Sequence, residues 1–168
     1  KYIKLNISIL ILLLISNSVL SNEISIKIEG NKFTDDNVIL SLIENRPENL
    51  SDQFADYLIK TLDNSMLFED VSVKITEEGY IISIIEYANI NKIIFNNNEM
   101  LKDEELIDYA DQLNLNNLNP SSLNVFISEI KNLYQSFGYN DAKITYVEKI
   151  YDDSNTADLY FDIDEGQI

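Results

Sequence analysis

The chain has 168 residues, 45% of them hydrophobic and 24% charged, with 29 acids against 12 bases and a net charge of −17. That apolar content suits a folded, core-forming protein, and the acidic excess argues against nucleic acid as a partner, because neutralising phosphates needs a basic face. Histidine and cysteine are both absent, which removes imidazole- and thiol-based triads, thiol redox chemistry and zinc sites built on either ligand.

Lys1 and Lys4 precede an apolar run over residues 7–15, and the small and polar residues 16–21 follow. This is the order of a secretory leader, with Val19 and Ser21 suited to the two key positions before a cut after Ser21. The run is too short to span a bilayer, which needs about 20 apolar residues; an uncleaved N-terminal anchor is the alternative. Residues 1–21 are therefore expected to be an export signal, and the rest an acidic domain region beyond the inner membrane.

Alternation in Ile24, Ile26 and Ile28 predicts a strand ended by Gly30-Asn31. Thr34 or Asp35 can cap a short helix running through Glu44. Ser51 can cap a second helix with Phe54, Tyr57, Leu58 and Leu62 on one face. Val71, Val73 and Ile75 alternate with polar residues as a strand with one wet face. Glu78-Gly79 makes a turn, and residues 80–86 are apolar on both sides, the pattern of a central strand.

The same order then recurs. Residues 90–95 predict a strand and residues 102–113 a helix, which Asp103, Glu104 and Glu105 open with charge that complements the helix dipole. Asn119-Pro120 supplies an N-cap and a first-position proline for a longer helix carrying Leu123, Phe126, Ile127, Ile130, Tyr134 and Phe137. Gly138 is placed to end it. Ala142, Ile144 and Tyr146 begin the next strand, and Leu159, Phe161 and Ile163 share one face of the last. Residues 62–73 line up with residues 133–144 without a gap, Ile28-Glu29-Gly30-Asn31 with Phe95-Asn96-Asn97-Asn98, and Ile84-Ile85-Glu86 with Ile163-Asp164-Glu165. The fold class is thus α+β: two tandem β-α-α-β-β modules, each a small three-stranded mixed sheet covered on one face by two helices.

An exported tandem of such units resembles POTRA (polypeptide-transport-associated) domains of the BamA-type outer-membrane assembly family. The segment from Phe68-Glu69-Asp70-Val71 through Glu86 to Ile90-Asn91-Lys92-Ile93-Ile94-Phe95 resembles that family's junction between two modules. Leu133-Tyr134, Gly138-Tyr139-Asn140-Asp141-Ala142 and the closing run at residues 158–166 resemble its second module. Departures are Met66-Leu67 where the family has a helix-ending glycine, Asn97-Asn98 for Gly-Asn, and Tyr87-Ala88 for Arg-Pro. On this reading residues 1–21 are the signal peptide, 22–88 the first module, 89–166 the second, and 167–168 the start of a further one.

The resemblance implies a periplasmic region of an outer-membrane protein. Its partners would be unfolded outer-membrane polypeptides and accessory outer-membrane lipoproteins, with a barrel expected further along the natural chain. A related secretion or translocation protein, or a membrane-anchored cell-division scaffold, is the alternative. A free sheet edge can accept another chain as an added strand. The candidate edges are the strands over residues 71–76 and 142–149, in particular Val71, Ser72, Val73, Lys74 and Ile75, and Ala142, Lys143, Ile144, Thr145 and Tyr146. Lys74, Lys143 and Lys149 could equally blunt those edges. Asp152-Asp153-Ser154-Asn155 lacks the glycine and terminal glutamate of a calcium loop and reads as a solvated turn. No catalytic residue, metal or cofactor is expected.

Overall fold

The computed structural model describes residues 24–167; the expected leader and Ile168 lie outside them. Ten elements follow in chain order: β1 (Ser25–Glu29), α1 (Asp36–Ser41), α2 (Asp52–Asp63), β2 (Phe68–Ile75), β3 (Gly79–Glu86), β4 (Asn89–Asn96), α3 (Asp103–Gln112), α4 (Pro120–Ser136), β5 (Lys143–Tyr151) and β6 (Thr156–Asp164). They form two three-stranded sheets, ordered β1-β3-β2 and β4-β6-β5. In each, the closing strand is central, parallel to the first and antiparallel to the second. This is the expected α+β architecture, built twice.

The helix faces read from the sequence make the cores. Leu58 and Leu62 of α2 are fully buried against Val71, Ile82 and Ile84, and Ile39 enters from α1. In the second module Leu123, Phe126, Ile130 and Tyr134 of α4 meet Leu159, Phe161 and Ile163, with Leu106 from α3. Phe161 is the hub, its ring 5.4 Å from Phe95 and 5.3 Å from Phe126. Because helices cover only one face, the outward residues of β3 stay wet, and Ile85 is 54% exposed. The apolar character of β3 on both sides therefore marks its central place without burying both sides.

Local ends follow the capping residues. Asp35 and not Thr34 caps α1, accepting from Asn37 N–H, and Ser51 caps α2 from Phe54 N–H. The helix α1 stops at Ser41, short of Glu44, because Leu42 and Ile43 donate to Ile39 and Leu40 three residues back, a tighter last turn. Asn119 accepts from Ser121 and Ser122 N–H, and Pro120 stands in the first turn of α4. Gly138 takes φ 96 after α4, whereas after α2 the left-handed residue is Met66, at φ 59. The two helix ends are thus not superimposable at the gapless alignment of residues 62–73 with 133–144. After β1 and β4 the left-handed positions are Gly30 (φ 93) and Asn97 (φ 63), so asparagine does the work of glycine there.

Each module closes with the same polar clasp. The Glu86 carboxylate accepts the backbone N–H groups of Lys32 (2.9 Å), Phe33 (3.1 Å) and Thr34 (2.7 Å). Glu165, its counterpart, accepts Met100 N–H at 2.8 Å and the Tyr134 hydroxyl at 3.0 Å. Asn31 and Asn98 brace the two loops alike, one amide reaching Thr34 O and Asp36, the other Leu101 O and Asp103. Burial opposes ionisation of Glu86, but the Thr34 hydroxyl and the three N–H donors outweigh it and hold the carboxyl below its ordinary value.

Leu58→Ala and Ile130→Ala should each cost roughly 2–5 kcal/mol, the range for truncating fully buried aliphatics; chemical denaturation of each variant measures this. A depressed folded-state pKa gives stability that is present above the ordinary carboxylate range and lost as pH falls through the folded value. Glu86→Gln should therefore melt lower than the parent at about pH 7, with the gap narrowing as pH falls to about 3. Thermal melts at both pH values check it, and a pH-independent gap would contradict the role given to the charge.

Candidate functional interface

Two edges carry the residues singled out from the sequence. In the first module β2 pairs only with β3. Val71 is buried and Val73 and Ile75 are half-buried toward the helices, while Ser72 and Lys74 are exposed. Between β2 and α2 runs an open groove of about 550 Å³, lined by Val73, Lys74 and Ile75 on one side and Asp52, Ala55, Asp56 and Ile59 on the other.

In the second module β5 pairs only with β6. Ala142 precedes the strand and is buried, so it offers no edge. Ile144 is half-buried, and Lys143, Thr145 and Tyr146 are exposed. The exposed apolar residues continue past them: Val147 is 67% exposed and Ile150 48%. Here the strand outruns the helical layer, and Tyr146, Glu148 and Ile150 face a cleft of about 430 Å³. Its other walls are Leu118, Pro120 and Leu123 at the start of α4, and Glu69, Glu86, Tyr87 and Ala88 from the first module and the connection.

The outer face of β5 is held stiffly. Asp158 of β6 accepts the Asn91 amide at 2.8 Å and the Tyr151 hydroxyl at 2.9 Å, and the first of these bonds leads in holding its carboxyl below the usual range. Lys149 lies over the Tyr151 ring, 5.0 Å from its centroid. It is drawn onto the outer sheet face and does not line the cleft.

The cleft depends on how the two modules join. Tyr87 and Ala88 connect β3 to β4, and their backbone is clamped from three sides. Tyr87 N–H donates to Leu67 O, and Leu118 N–H to Ala88 O. The Asn155 amide donates to Tyr87 O at 3.1 Å, and the Asn117 amide crosses to Met66 O at 2.9 Å. Asn155 takes φ 48 to do so. The turn at residues 152–155 is thus a structural contact as well as a solvated loop. Neither asparagine stands out in the sequence, since each acts on backbone more than 50 residues away.

Among the described residues no group of three or more His, Cys, Asp or Glu could hold a metal ion, and no helix is long and apolar enough to cross a membrane. What the arrangement offers is backbone pairing along a free edge, beside a groove of mixed apolar and charged lining.

A family model described as POTRA, surface antigen variable number repeat, matches residues 88–166. Among solved structures, the N-terminal domain of Omp85 from the thermophilic cyanobacterium Thermosynechococcus elongatus has a similar fold, with a TM-score of 0.57 at 17% identity over 86% of this chain and 63% of that one. POTRA1-2 of the periplasmic domain of Omp85 from Anabaena gives 0.48 at 17% identity, over 87% and 94% of the two chains. POTRA3-5 of Haemophilus influenzae BamA gives 0.44 at 17% identity, over 84% and 65%. The chain spans under two thirds of the length of the first of these structures, 63%. No curated protein sequence matches it.

Replacing Asn117 and Asn155 by alanine should loosen the angle between the modules without melting either one. The absence of native cysteine allows spin labels at Lys60→Cys and Lys131→Cys, on α2 and α4. The distance distribution between them should broaden in the double alanine variant. An unchanged width would show that the two amides do not set the angle.

Proposed function

Since residues 88–166 match the POTRA family model and the module before them repeats the same plan, we propose that this chain is the periplasmic receiving region of an outer-membrane assembly protein. It binds unfolded outer-membrane polypeptides by adding them as strands to its free sheet edges. The observation that carries this reading is β5: a nine-residue edge strand, exposed along nearly its whole length, with a cleft of mixed apolar and acidic lining beside it. Backbone pairing supplies affinity with little demand on sequence, which suits a receptor for many different clients. It needs no catalytic group, cofactor or metal, and the region acts as a binder and not an enzyme. The shorter edge at β2, with its own groove, is a second place for a client or for an accessory lipoprotein. Insertion into the bilayer belongs to a barrel elsewhere in the protein, because only a closed barrel satisfies its strands within an outer membrane.

Successive backbone N–H groups of a strand point to opposite edges, so of Thr145→Pro and Tyr146→Pro one deletes an N–H paired to β6 and the other a free one. The proline variant that keeps the parent's fold by circular dichroism should lose cross-linking to an unfolded outer-membrane polypeptide. The alanine variant at the same position should keep it. Equal cross-linking by the folded proline and alanine variants would remove strand addition at β5.

A further inference from the structure

From the cleft beside β5 we infer a charge preference in what this edge accepts: an extended segment with a basic residue flanked at two residues on each side by apolar ones. The inference rests on the strand-addition reading above and specifies its client. On the cleft-facing side of β5 the residues run Tyr146, Glu148, Ile150, that is apolar, acidic, apolar. An added strand places one side chain opposite each of these on the same face. Tyr146, 37% exposed, and Ile150, 48% exposed, offer apolar surface on the cleft side of the strand, so the residues opposite them gain by being apolar. The residue between them lies opposite Glu148, where a cross-strand cation is favourable and an anion is not.

The surroundings reinforce that sign. Glu69 and Asp152 also line the cleft, and no lysine or arginine does. Glu86 lines it too, but its charge is already satisfied by three backbone donors. Lys149, the nearest basic residue on the strand, is turned onto Tyr151 on the opposite face. A second copy of this chain is a poor occupant, since it would bring a net charge of −17 against the same acids.

Two peptides test this, sharing one sequence of alternating valine and threonine and differing only in a central lysine or glutamate on the valine side. The lysine peptide should bind the protein about fivefold more tightly, from one favourable and one unfavourable cross-strand pair. The gap should shrink as salt rises above about 0.1 M. Glu148→Lys, at an exposed position, should narrow or reverse the preference while leaving the melting temperature unchanged. Equal binding of both peptides, or a preference unmoved by Glu148→Lys, would overturn the charge selection and leave strand addition standing. Binding of neither peptide, with no slowing of amide exchange along β5, would overturn both. Self-association of the protein that the peptides compete with would name a second copy as the occupant and refute the inference.

Discussion

The carboxylate that ends each central strand is the contact on which the module's geometry turns. In each sheet the first strand and the closing strand run parallel, so both end on the same side. A glutamate at the end of the closing strand, Glu86, or just past it, Glu165, therefore meets the loop that leaves the first strand and accepts that loop's N–H groups directly. The bonds from Thr34 and Met100 are partly buried and those from Lys32 and Phe33 exposed, and a hydrogen bond to a charged group is worth about 1.5–3 kcal/mol. With the loop pinned, α1 and α3 set off across one face, and the helical layer is placed.

The junction turns two such units into one surface. Two connecting residues are too few to form a core of their own, and their polar groups are bonded to Leu67, Leu118 and Asn155. Asn117 adds a bond from the second module to the helix end of the first. As a result Glu69 and Glu86 stand across a cleft from the far half of β5. A strand added at β5 would thus meet side chains from both modules, which neither could present alone.

Much of the fold was legible because core-facing residues repeat in kind. The matches of Ile28 with Phe95 and Glu86 with Glu165 mark equivalent positions in the two modules, and caps such as Ser51 and Asn119 act on their immediate neighbours. What escaped is what acts at a distance or against type. Met66 sits left-handed where glycine would have announced it. The amides of Asn117 and Asn155 bond across the module boundary and leave no local pattern. The candidate edge over residues 142–149 was placed by alternation, but nothing in the sequence marked Val147 or Ile150 as exposed. Alternation looks the same in a covered strand and an uncovered one, and only the end of the helical layer separates them. The lysine at 149 looked like a guard for the edge, but its place over Tyr151 depends on a ring two residues on.

The central claim is that a client becomes the next strand beside β5. Cross-strand nuclear Overhauser contacts between a labelled client peptide and the backbone of residues 143–151 test it most directly. The account predicts a regular ladder of backbone contacts along that edge, with alternate client side chains touching Tyr146 and Ile150. Contacts confined to the open sheet face around Val147 and Tyr160, or to helix α4 without any backbone ladder, would contradict it.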